Sequence, residues 1–144
     1  MSRARCFVAS DPEHGRELWK SDGTAQRTVL VRDINPGPGH SIPSSPGTRG
    51  DVISANLTAV DDTVIFRAFD PAHGLEPWLS DGTAEGTVLV DDINPGSSAS
   101  IPEGAPGRFT NVAGTVLFTA ADSCIDPTRL RCDFEPWKTV PRIR

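Results

Sequence analysis

Two stretches of this chain are near copies of one another: ELWKSDGTAQRTVLVRDINPG at 17–37 and EPWLSDGTAEGTVLVDDINPG at 76–96. A third copy opens with EPWK at 135–138 and then departs into TVPRIR. A repeat constrains a fold more than any single motif, because each copy is one structural unit whose apolar faces its neighbours must cover. Trp19, Trp78 and Trp137 are evenly 59 residues apart, whereas Phe7, Phe66 and Phe118 are 59 and then 52 apart. The basic period is therefore about 52 residues. Two insertions, within SSPGTRGDVIS and CIDPTRLRC, make up the difference. Such insertions belong in surface loops, since paired strands cannot absorb them.

Gly and Pro, 13 of each, are spread along the chain, and no breaker-free stretch keeps a 3.6-residue apolar stripe. The chain reads as all-β. In the middle copy, 56–60, 63–69, 75–80 and 87–93 read as four strands joined by the turns DD, DPAHG and DGTAEG, an antiparallel meander. Within TVIFRAF, Val64, Phe66 and Ala68 point to one face and Ile65 and Phe69 to the other. Both faces are apolar, so both need covering. Meanders stacked radially satisfy that demand, and β-solenoid repeats are usually shorter than this one. The expected architecture is a set of tandem four-stranded antiparallel meanders forming a partial β-propeller-like array of two to three blades. One repeat array fills 1–144, with a partial first blade at 7–37, a complete second at 56–96 and a partial third at 108–138. The first unit lacks its innermost strand and the third its outermost, which reads as a fragment of a larger repeat protein.

Most of the repeated residues have structural readings. Asp22-Gly23 and Asp81-Gly82 are turn chemistry, with Asp accepting backbone N–H bonds and Gly taking a positive φ. Thr24 and Thr83 add a hydroxyl to the same turn. Trp19, Trp78 and Trp137 read as packing anchors between blades, with a sugar-stacking platform as the functional rival. Glu17, Glu76 and Glu135 share the face of each Trp and need a partner if buried, either the indole N–H or nearby backbone. Arg27 stands where the second copy has Gly86, a position expected to need a positive φ and so to strain an arginine.

Charge and composition narrow the chemistry. A net charge of −5 and a pI near 5.1 argue against a nucleic acid or an anionic membrane as partner. No apolar run is long enough for membrane insertion, and MSRARCFVAS has no apolar core of a signal peptide. Calcium needs six to eight oxygens. The candidates Asp22 and Asp81, joined by Asp33 and Asp92 from a nearby loop, are too sparse for a dedicated cage, and no cofactor is expected. Asp11, His14 and Glu17, repeated as Asp70, His73 and Glu76, have a spacing that suits a transition metal, although DPxHG also reads as a hairpin loop.

Three His, no Tyr and no GxSxG or HExxH motif leave little from which to build a catalytic site, so the chain is not expected to be an enzyme. The DGT turn resembles the Asp-box hairpin of sialidases, itself a structural element. Arg49-Gly50-Asp51 spells an integrin-type tripeptide, which average residue usage supplies by chance in about 3% of chains this long. Cys124 and Cys132 bracket the third unit's insertion and are a possible disulfide in an oxidising setting, with Cys6 left over.

The phrase ELWKSDGT…DINPG, with FVASD ahead of it and FRAFD ahead of its second copy, resembles the bacterial ELWxxDGT repeat proteins, some of them labelled hyalin-like. The resemblance covers roughly residues 7–138. It implies a secreted or cell-surface parent protein of many tandem β repeats, propeller-like in fold and with no established catalytic activity. The function expected is a non-enzymatic extracellular or surface module for binding or scaffolding. Its partners would be a protein or carbohydrate ligand and the remainder of the parent array. The alternative is the remnant of a carbohydrate-active propeller enzyme, which polar groups converging from different blades on a central channel would favour.

Overall fold

Each copy of the repeat folds into its own antiparallel meander. The computed structural model describes residues 4–43, 57–96, 99–100, 108–122, 124–126, 131–132 and 134–140. The first sheet runs β1 (Arg5–Asp11), β2 (Gly15–Ser21) and β3 (Val29–Arg32), in that order. The second has four strands, β4 (Thr58–Val60), β5 (Thr63–Asp70), β6 (Gly74–Ser80) and β7 (Val88–Leu89), also in sequence order. The third joins β8 (Thr110–Val112) and β9 (Thr115–Ala120) to β12 (Glu135–Thr139). A small hairpin, β10 (Cys124–Asp126) with β11 (Arg131–Cys132), is inserted between β9 and β12. The register repeats with the sequence: Phe7 stands opposite Trp19, Phe66 opposite Trp78 and Phe118 opposite Trp137.

The alternation of side chains in β5 decides how the sheets stack. Phe66, Ala68 and Trp78 join Leu18, Val31, Ile34 and Ile42 in a core between the first and second sheets. Ile65, Val60 and Leu79 face the other way and join Val116, Phe118 and Ala120 in a core between the second and third. The middle sheet is thus covered on both faces, as its two apolar faces require. Phe66 is 0% exposed, and burying such a side chain contributes about 1.5–3 kcal/mol. The result is an all-β, partial propeller-like array of antiparallel meanders.

Polar contacts also join the sheets. Lys20 Nζ donates to the Gly82 carbonyl at 2.5 Å, and the Arg32 guanidinium donates to the Thr87 carbonyl at 2.6 Å. The same guanidinium lies 5.8 Å from the centre of the Trp78 ring, within cation–π range. Between the second and third sheets, Asn111 Nδ2 donates to the Ala59 carbonyl at 3.0 Å.

Two local features differ from the sequence reading. The last strand of the middle sheet was expected over 87–93, yet ladder pairing covers only Val88–Leu89. Beyond it the backbone turns toward a buried carboxylate, and the N–H groups of Ile93 and Asn94 bond there instead of to a neighbouring strand. The other feature is a 3-10 turn at Ala25–Arg27, in the first copy only.

Candidate functional site

The SDGT turns are built as their residue types dictate. Asp22 Oδ1 accepts the Thr24 N–H at 3.0 Å and its hydroxyl at 2.7 Å. Asp81 Oδ1 does the same with Thr83 at 2.8 and 2.7 Å. Gly23 and Gly82 take φ values of +97° and +86°, which an L side chain would resist. The threonine hydroxyl, then its N–H, holds each aspartate carboxyl below its ordinary value.

Arg27 is not strained, contrary to the expectation from Gly86. Neither residue adopts a positive φ. Gly86 is needed for space: a Cβ there would lie 2.2 Å from Asp81 Oδ1. Its N–H bonds Thr83 Oγ1 at 2.9 Å. In the first copy the 3-10 turn carries Arg27 clear, its N–H bonding the Thr24 carbonyl at 3.3 Å and its guanidinium 3.5 Å from Asp22.

The most buried acidic groups form a repeated clamp. Glu76 is 0% exposed, and its carboxylate accepts the N–H groups of Ile93, Asn94 and Ser100 together with the Ser100 hydroxyl. Glu17, also 0% exposed, accepts the N–H groups of Ile34 and Asn35 at 3.3 Å and the Ser41 hydroxyl at 2.5 Å. Burial pushes the Glu76 carboxyl up to about 7, against the pull of Ser100, Asn94 and Ile93. Glu17 is raised for the same reason. Neighbouring backbone is therefore the glutamate's partner and the indole is not. The Nε1 atoms of Trp19 and Trp78 are buried with no hydrogen-bond partner. Glu135, on the third sheet, is exposed. The serines were missed in the sequence, although SIP recurs at 41–43 and 100–102, just beyond each DINPG.

His14 and His73 complete hairpin loops. Asp11 Oδ1 accepts the N–H groups of Glu13 and His14, and His14 Nδ1 lies 2.9 Å from Asp11 Oδ2. Asp70 and His73 repeat this at 2.8 Å. The aspartate bond raises both histidines above their ordinary value. Because Glu17 and Glu76 are committed to the clamps, the Asp–His–Glu sets do not assemble. Among the described residues, no three of His, Cys, Asp and Glu are gathered to hold a metal ion. The four calcium candidates belong to no such group. Asp22 lies 3.5 Å from the Arg27 guanidinium. Asp33 Oδ2 accepts the Gly37 N–H at 3.4 Å, and the Oδ1 atoms of Asp33 and Asp92 are buried without a hydrogen-bond partner.

The tryptophans differ in environment. Trp78 is 6% exposed in the core between the first two sheets, and Trp137 packs against the core between the second and third. Trp19 is half-buried and belongs to neither core. A cleft of about 620 Å³ opens beside β1, lined by Arg5, Cys6, Leu57, Asp61 and Asp62 among others. Here β1 is an edge strand, whereas the equivalent β5 is paired with β4. Burial raises the Cys6 thiol and so weakens it as a nucleophile. Cys124 and Cys132 stand opposite one another in the β10–β11 backbone register, and their side chains lie outside the described residues. Arg49-Gly50-Asp51 lies wholly outside them.

No protein-family model matches the chain, and no curated protein or solved structure matches it either. Among the described residues, no helix is long and apolar enough to cross a membrane.

Proposed function

We propose that the chain is a non-enzymatic extracellular or cell-surface repeat module of the ELWxxDGT kind, which binds or spaces partners as part of a larger array. The observation that carries this reading is the clamp. Glu17 with Ser41 and Glu76 with Ser100, each 24 residues apart, commit the most buried acidic groups of two repeats to holding sheets together. The Asp–Gly–Thr turns and the Asp–His loops are likewise committed within their own repeats. A rigid array with its variation confined to loops is what a spacing or binding module requires.

The test has two arms: labelling the protein on intact cells of its source, and assaying the purified chain on a panel of chromogenic glycosides. Surface labelling with no turnover is the expected result. Turnover abolished by a substitution in the chain would establish the propeller-enzyme alternative, and labelling only after lysis would remove the surface assignment.

A further inference from the structure

The two internal interfaces are built to one plan, and the outermost faces of the array carry the two halves of that plan. On the side facing the preceding sheet, each sheet presents a Phe opposite a Trp. Phe66 and Trp78 are covered by the first sheet, being 0% and 6% exposed. Phe118 and Trp137 face the second sheet in the same way. Phe7 and Trp19 are their equivalents on the first sheet, with Leu30 opposite Trp19, and all three are half-buried and outside both cores.

On the side facing the following sheet, Val60 and Ile65 of the middle sheet are covered to 1% and 0% exposure. Their equivalents on the third sheet are Val112 and Leu117, exposed to 53% and 45%. The third sheet therefore offers the surface that fits a Phe–Trp face, and the first sheet offers a Phe–Trp face.

The polar part of the plan is present as well. Lys20 directly follows Trp19 and pairs with Cys6 across β1–β2; from there its ammonium reaches the Gly82 carbonyl of the next sheet's SDGT turn. Lys138 follows Trp137 in the same way and pairs with Leu117. It is exposed. The turn equivalent to Gly82 is Gly23, and it is exposed on the first sheet.

From this continuity with the two internal interfaces we infer that a second copy of this chain docks head to tail. The Val112–Leu117 face of one copy packs on the Phe7–Trp19–Leu30 face of the other, and Lys138 donates to the partner copy's Gly23 carbonyl. The contact is heterologous, joining unlike surfaces, so it either closes into a ring or propagates. Two copies supply six sheets, within the four to eight of closed propellers. The inference stands on packing alone and concerns this chain of 144 residues by itself; in the larger array proposed above, adjoining repeats would take the same two faces.

Sedimentation of the whole chain over a concentration series, with two variants, tests it. Leu30→Lys blocks only the first-sheet face, and Leu117→Lys blocks only the third-sheet face. Ala9→Lys replaces the first of these if thermal melts show that it does not fold. The wild type is expected to associate, and each variant alone to associate at least about tenfold more weakly. An equimolar mixture of the two variants should recover a dimer, because each variant keeps the face that the other has lost and one intact contact can form between them. Lys138→Met should weaken wild-type association about tenfold through loss of the charged hydrogen bond. A wild type monomeric to about 100 µM, or a face variant that associates like wild type, overturns the proposal. So does a mixture that stays monomeric, which would point to like faces meeting.

Discussion

The carbonyl of Ser41 accepts a 2.7 Å hydrogen bond from the N–H of Phe69, in the sheet that follows its own. The same serine donates its hydroxyl to Glu17 and its N–H to the Arg16 carbonyl, so it ties its own sheet to the next. Ser100 repeats the arrangement with Glu76 and Leu75 on one side and Ala121 on the other, at 2.9 Å. Each repeat thus carries a buried carboxylate that fixes a loop, and the loop fixes the spacing to the next repeat. Stacked repeats draw much of their stability from such neighbour interfaces.

Replacing Glu76 with Gln should destabilise the protein by about 1–3 kcal/mol, because an amide NH₂ cannot accept the backbone N–H bonded at its position, whereas a protonated carboxyl can donate to the Ser100 hydroxyl and still accept that N–H. Ile93, Asn94 and Ser100 each present an N–H to the two Glu76 oxygens, and the Ser100 hydroxyl bonds one of them. Urea denaturation monitored by tryptophan fluorescence measures the change. A variant as stable as wild type would mean the carboxylate does not hold the loop.

Thermal stability should fall as pH rises from about 5 to about 8. The Glu76 carboxyl is raised from 4.5 to about 7, so the folded state holds that proton more tightly than the unfolded state. Its contribution is fully present below 4.5 and lost as pH rises through about 7. Glu17 acts in the same direction. His14 and His73 add to it, because their raised folded values make a contribution that is present below 6.5 and lost at higher pH. Asp11, Asp22 and Asp81 have lowered values, so their contribution is lost as pH falls below 3.8. Melting curves across this range should show the fall, and Glu76→Gln should flatten it. A melting temperature that climbs steadily to pH 8 would contradict the assignment.

The meander and its two-sided burial were legible because Phe66, Ala68 and Ile65 alternate in an unbroken strand. The Asp–Gly–Thr turn was legible because its chemistry is local. The clamp was not. Ser41 lies 24 residues from Glu17, and nothing in the periodicity of a strand links them. The shortened last strand follows from the same omission, since its backbone donors are claimed by a carboxylate that the strand pattern does not register. Gly86 was misread for a related reason. A glycine needed for space and one needed for a positive φ look alike until the neighbouring Asp81 is placed.

Gly86→Ala should cost about 1–3 kcal/mol, because the new methyl meets a carboxylate that cannot retreat without breaking its bonds to Thr83. Arg27→Gly at the equivalent position should cost no more than about 1 kcal/mol, from the added freedom of the unfolded backbone and the loss of an ion pair whose arginine is exposed. Denaturation midpoints of the two variants provide the comparison. Equal effects at both sites would show that the turns are alike after all.

Millimolar Ca²⁺ should raise the melting temperature by no more than about one or two degrees, because a dedicated site with excess ligand would add far more through mass action. The Oδ1 atoms of Asp22 and Asp81 are already bonded to Thr24 and Thr83, and among the described residues the four aspartates belong to no cluster of three or more metal-ligating side chains. Differential scanning calorimetry with calcium and with chelator decides the matter. A calcium-dependent rise of about ten degrees would promote the four aspartates to ligands.

Cys124 and Cys132 should form a disulfide in protein recovered from an oxidising compartment. Their backbones are direct partners across β10–β11. Opposed residues in antiparallel strands are about 4.5–5.5 Å apart at Cα, inside the span of about 4.4–6.8 Å that a disulfide bridges. Closing so short a loop contributes about 2–3 kcal/mol in the chain-entropy account. Cys6 does not compete, because burial raises its thiol and keeps it protonated. Alkylation followed by intact-mass measurement should therefore label one of the 3 cysteines without reductant and all of them with it. Three labelled thiols in unreduced material from that compartment would leave the insertion unbridged and β10–β11 held by backbone pairing alone.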